Sequence, residues 1–259
     1  MTRIIRTPNC WFRRSSHPEF QKTTVHSPSL KVSGLYKSFT MHHRGGIVLP
    51  VLQNVSFDLF AGECLSLVGP SGSGKSTVAR CIYGNYRVDA GEILIRTGGD
   101  PDLVSLPNAH PYQIRQVREN FIGYVSQFLR AIPRTPTLDI VMEPLLRRGL
   151  DKNTASQRAR MVLRRLGIWE RLWSLPPATF SGGEQQRINL ARGFAPAYPI
   201  LVLDEPTASL DKPNRNTVIE LIQEALAAGT AVIEICHDEE VRAVTATRSL
   251  DLARKNHTP

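Results

Sequence analysis

The chain has 259 residues, 41% of them hydrophobic and 21% charged, an ordinary globular usage that excludes a largely disordered or collagen-like chain. Its apolar runs, such as Ile200-Leu201-Val202-Leu203, fall far short of the ~20 residues that span a bilayer, so no direct membrane insertion is expected. The formal net charge of +9 would suit an anionic partner, but Arg3, Arg6, Arg13, Arg14 and Lys22 face only Glu19 in the first 30 residues, so the body is mildly basic.

Residues 1–29 mix Arg, Ser, Thr and Pro without a hydrophobic period or the apolar stretch of a secretory signal, and read as a disordered basic tail. The tail lacks regularly spaced aromatic residues, which argues against a nucleic-acid partner. Cys10, Cys64, Cys81 and Cys236 have no metal-ligand spacing and read as reduced thiols, which favours a cytoplasmic protein.

From Leu30 onward, strand patterns cover Leu30–Leu35, Val55–Leu59 and Cys64–Val68, and a Gly-rich turn leads into a helix over Lys75–Tyr83. The intervening Met41–Pro50, with His42 and His43, reads as a polar hairpin tip with no metal assigned. Further strands are expected at Glu92–Ile95, Phe121–Val125, Ile200–Leu203 and Ala231–Cys236, with a helix over Asn214–Ala228. This alternation predicts an α/β domain with a largely parallel sheet. Between Val125 and Ile200, three helical patterns follow one another without strands: Leu138–Arg148, Thr154–Leu166 and Glu184–Phe194. Residues 30–259 thus read as one domain, with its core in 30–127 and 187–259 and a helical insertion over about 128–186.

Gly69-Pro70-Ser71-Gly72-Ser73-Gly74-Lys75-Ser76-Thr77 satisfies the phosphate-loop pattern between a strand and a helix. Glycines let the backbone curl with its amides turned towards phosphate oxygens. Lys75 can reach the outer phosphates, and Ser76 can offer its hydroxyl to Mg2+. The apolar strand Ile200–Leu203 ends in Asp204 and Glu205; the first carboxylate suits magnesium held through water, and the second suits polarising an attacking water. Ser181-Gly182-Gly183 opens a helix with a hydroxyl and free amides, a pattern that suits either an anion or a simple helix cap.

Ser181-Gly182-Gly183-Glu184-Gln185, shortly before Asp204, resembles the signature motif of the ABC ATPase family. That resemblance implies a P-loop, RecA-like core with a parallel-rich sheet, an antiparallel β subdomain and a helical insertion subdomain. It implies Mg2+-dependent ATP hydrolysis in a head-to-tail dimer, where Ser181, Gly182 and Gly183 of one subunit face the nucleotide held by Lys75 of the other. Gln127 then matches the glutamine that senses metal and water, Asp211 the D-loop, His237 the switch histidine, and Phe39 the aromatic that stacks on adenine, with Tyr36 as fallback.

Four more particular stretches, Arg80–Tyr86, Tyr124–Arg134, Thr179–Phe194 and Tyr198–Ile200, resemble the PhnL-type ABC proteins of the bacterial carbon-phosphorus lyase system. That implies an accessory ATPase of phosphonate catabolism, associated with formation of ribose 1-phosphonate 5-triphosphate. Its partners would be a PhnK-like or identical second ATPase subunit and the lyase core complex. The alternatives are the nucleotide-binding motor of an ABC membrane transporter, which would differ only in what Phe128–Arg148 contacts, and a non-hydrolysing scaffold. The presence of both Glu205 and His237 argues against the scaffold.

Overall fold

The structure is a computed structural model that describes residues 27–41, 45–98, 102–129 and 133–255. Almost all of the basic tail, His42 and His43, and Arg130, Ala131 and Ile132 therefore lie outside the described residues.

The chain opens with β1 (Leu30–Met41) and β2 (Ile47–Leu59), then β3 (Cys64–Val68), α1 (Lys75–Ile82), β4 (Ala90–Arg96), β5 (Leu103–Ser105), α2 (Pro111–Asn120) and β6 (Ile122–Val125). A helical stretch follows, with α3 (Thr137–Arg147), α4 (Lys152–Arg165) and α5 (Gly182–Phe194). The remainder alternates as β7 (Ile200–Asp204), α6 (Lys212–Ala227), β8 (Ala231–Ile235), α7 (Glu239–Thr245), β9 (Arg248–Asp251) and α8 (Leu252–Lys255). Helix α5 runs without a break across residues 186 and 187.

Two sheets form. One has five strands in the order β6-β7-β8-β3-β9, every pair parallel; the other has four in the order β2-β1-β4-β5, every pair antiparallel. The parallel sheet is covered on both faces, which is why β7 is a continuous apolar run up to Asp204, and β3 and β8 are apolar apart from the buried Ser66 and Glu234. Ile200 and Val202 of β7 join the core built with α1 and the antiparallel sheet, whereas Leu201 and Leu203 join the core built with α3 to α6. Close packing of α5 on this sheet requires Gly193, since a Cβ there would lie 2.2 Å from Val125 Cγ2.

The first hairpin is longer than the sequence pattern predicts. Ser38 to Met41 pair with Ile47 to Pro50, beyond register shifts that break the alternation of buried residues, and Ile47, Val48 and Leu49 are exposed. Main-chain pairing holds this extension where burial leaves no pattern to read. Strand β9 was missed for a similar reason: it is a short edge strand beside β3, with two exposed residues among its four.

Candidate functional site

Lys75, Ser76, Gln127, Asp204, Glu205 and His237 meet at the carboxyl ends of β3, β6, β7 and β8, where loops of a parallel sheet commonly build a ligand site. The turn after β3 runs into α1, with Gly74 as its N-cap at φ 95°. Only glycine suits that position, because a Cβ would lie 2.6 Å from Leu52 Cδ2 in a backbone conformation side chains avoid. Lys75 Nζ donates to the carbonyls of Gly69 at 2.8 Å and Pro70 at 2.9 Å, so the ammonium is tethered within its own loop.

One residue further, Ser76 Oγ lies 3.2 Å from Asp204 Oδ1. This joins the start of α1 to the end of β7 with two oxygen donors, the hard ligand type that magnesium takes. The other oxygen of Asp204 accepts from the Tyr124 hydroxyl at 3.0 Å.

Glu205 follows in the left-handed region at φ 55°, which for a residue with a Cβ costs roughly 1–2 kcal/mol. Its amide donates to the carbonyl of Ile235 at 2.9 Å. Gln186 Nε2 donates to the carbonyls of both Glu205 and Pro206 at 3.3 Å. The backbone is therefore held from two sides while the side chain projects into the site. There Gln127 Nε2 donates to Glu205 Oε2 at 3.0 Å, and His237 Nε2 lies 3.4 Å from Oε1.

Each of these neighbours has its own support. Asn189 Nδ2 donates to the carbonyl of Ser126 at 2.6 Å, beside Gln127. Asp238 accepts from the amides of Glu240 and Val241 at the start of α7 and pairs with Arg215 of α6, which fixes the turn carrying His237.

Ser181 caps α5 in a capping box. Its amide and hydroxyl donate to Glu184 Oε2 at 2.9 and 2.8 Å, while Glu184 N donates back to Ser181 Oγ at 3.3 Å. These hydrogen bonds, with the Ser181 amide first, hold the Glu184 carboxyl below its ordinary pKa. A Cβ on Gly183 would lie 3.1 Å from the carbonyl of Ser209, so the turn packs on the loop before Asp211. Asp211 itself caps α6 by accepting from Asn214 N at 3.1 Å.

Phe39 is engaged with other partners than the phosphate-loop cluster. Its ring meets Tyr86 edge-on at 5.2 Å, with Lys37 Nζ 5.3 Å from its centroid. Tyr36, the fallback, is exposed on the same strand. Sequence reasoning missed Tyr124, Gln186 and Asn189; the last two are a polar pair one turn apart on the buried face of a largely polar helix.

The family model described as ABC transporter matches residues 52–208. The lipoprotein-releasing system ATP-binding protein LolD of Maricaulis maris is 38% identical over 212 residues, covering 82% of this chain and 89% of that protein. LolD 2 of Caulobacter vibrioides is 36% identical, over 80% of this chain and 83% of its own length. Among solved structures, the ATP-binding cassette MJ0796, a dimer in a post-hydrolysis state bound to ADP and Pi, matches with a TM-score of 0.77 at 28% identity, over 86% of this chain and 93% of that one.

These relatives belong to a different system from the carbon-phosphorus lyase, and they correct the expected PhnL-type role together with its phosphonate chemistry, PhnK-like partner and lyase core complex. The stretches that suggested it serve local structure: Tyr86 accepts from Arg80 Nη1 at 2.9 Å and packs on Phe39, and the Phe128 carbonyl accepts from Ser126 Oγ at 2.7 Å. Among the described residues no helix is long and apolar enough to cross a membrane. The fold, the phosphate loop joined to an acidic strand and these relatives give one conclusion: the chain belongs to the ABC transporter family and is an ATP-binding cassette that hydrolyses ATP.

Proposed function

We propose that this cassette is the motor subunit of a membrane transporter of the lipoprotein-releasing kind, working as a head-to-tail pair at the cytoplasmic face of the membrane. The observation that carries this reading is the 38% identity to LolD across most of both chains, which includes the helical stretch as well as the nucleotide motifs. Phe128, directly after Gln127, is 72% exposed. An aromatic ring presented beside the hydrolysis site suits contact with a membrane partner, so that binding there and the state of Gln127 can be linked.

In this reading the main-chain N–H groups of Ser71 to Thr77 surround the phosphates, and Lys75 neutralises the outer oxygens. Ser181, Gly182 and Gly183 of the second subunit close over the same phosphates, beside Asp211. Phe39 lies against the adenine. Glu205 accepts the proton of a water whose oxygen attacks the γ-phosphorus as the bond to ADP breaks, and Gln127 and His237 fix that carboxylate from its two sides. Magnesium, held through Ser76 and Asp204 with Gln127 nearby, supplies charge neutralisation on the phosphate oxygens. Catalysis then rests on positioning and electrostatics.

The test is purification of the tagged full chain from detergent-solubilised membranes of cells that express it. A transporter motor is recovered with a polytopic membrane protein that stimulates its ATPase, and Phe128→Ala weakens that association without changing ATP binding. Recovery without any membrane protein would contradict the proposal.

A further inference from the structure

Asp204 is 5% exposed and held at both oxygens, by Ser76 Oγ at Oδ1 and by the Tyr124 hydroxyl at Oδ2. Tyr124 comes from the neighbouring strand, with Val202 of β7 opposite it in the parallel register. Its ring is immobilised by stacking on Tyr83, with centroids 5.1 Å apart and planes inclined by 27°. Tyr83 in turn lies 5.0 Å from the Arg118 guanidinium, which donates to the carbonyls of Tyr83 at 2.8 Å and Gly84 at 2.6 Å.

Arg80 on α1 carries its charge towards the same hydroxyl and is anchored by the Tyr86 hydroxyl at 2.9 Å.

We propose that Tyr124 is a positioning residue for magnesium: its hydroxyl locks the Asp204 carboxylate in one orientation relative to the Ser76 hydroxyl. This rests on reading Ser76 and Asp204 as the magnesium pair. Outer partners that orient a metal-binding carboxylate change metal affinity by roughly 10–100-fold when removed. Phenylalanine at this position keeps the ring stack and loses only the clamp.

The experiment uses the full chain with a non-hydrolysable ATP analogue and Mn2+ as probe, with free Mn2+ followed by electron paramagnetic resonance. Tyr124→Phe should bind Mn2+ about tenfold more weakly, while its affinity for the analogue without metal stays at the wild-type value and the melting temperature of the metal-free chain falls only by what one lost buried hydrogen bond costs. Asp204→Asn separates the two claims. If it weakens Mn2+ binding and Tyr124→Phe does not, the positioning role is overturned and the magnesium pair stands. If neither variant changes Mn2+ affinity, both fall. Weaker Mn2+ binding in Tyr124→Phe accompanied by loss of metal-free nucleotide affinity would mark general loosening, and would also overturn the role.

Discussion

Gln186, inside the helix that Ser181 caps, holds the main chain of Glu205: its Nε2 donates to the carbonyls of Glu205 and Pro206 at 3.3 Å. The carboxylate nearest the expected attacking water thus depends on an amide from a different element. Gln186→Ala leaves two carbonyls without this donor, and should destabilise the chain by about 1–3 kcal/mol. Because the lost contact acts on Glu205 rather than on nucleotide, kcat should fall with KM for ATP little changed. Steady-state kinetics beside urea denaturation checks both.

The left-handed backbone at Glu205 allows a separate test. Glycine adopts φ 55° without a Cβ penalty, so Glu205→Gly should be more stable than Glu205→Ala by about 1 kcal/mol, although both lose hydrolysis. In an ordinary extended or helical position the order would reverse. Comparative chemical denaturation of the two variants decides it.

Gly74→Ala places a Cβ against Leu52 at φ 95°. The phosphate loop must shift to accept it, so nucleotide binding should be lost and stability should drop by more than about 1 kcal/mol. Fluorescent-nucleotide titration reads the first effect and thermal unfolding the second.

Glu234 supplies the pH dependence. It is fully buried in β8, where the Thr245 hydroxyl donates to Oε2 at 2.8 Å. Burial raises its pKa, against the opposing effect of the Thr245 hydrogen bond and the Arg242 charge. A carboxyl raised by folding contributes stability that is complete below its unfolded pKa and is lost as pH rises through the folded value. Stability should therefore decline as pH rises from the unfolded value through the raised folded one, and Glu234→Gln should flatten the decline. Urea midpoints measured from pH 5 to 8 check it; identical profiles for the two proteins would refute the assignment.

The phosphate loop was legible because its chemistry is local: nine consecutive residues carry it, and the strand before and helix after are strong patterns. Strand β7 was legible because a strand covered on both faces is a continuous apolar run ending at two carboxylates. Tyr124 was not, since its partner Asp204 lies 80 positions away and an aromatic in a strand is ordinarily read as packing. Gln186 and Asn189 hid within a polar stretch of helix whose buried face only the sheet reveals. The system served was also misread, because residues such as Tyr86 and Phe128 looked particular to one machinery while their contacts are local.

The central claim is that Glu205, held by Gln127 and His237, drives hydrolysis at a site completed by a second subunit. The most direct measurement is ATP turnover and oligomeric state of Glu205→Gln beside wild type with Mg-ATP. The account predicts that ATP still binds, that turnover falls by about 10²–10⁴-fold, and that the variant elutes as a nucleotide-dependent dimer. Wild-type turnover by Glu205→Gln, or a monomer that binds ATP without pairing, would contradict it.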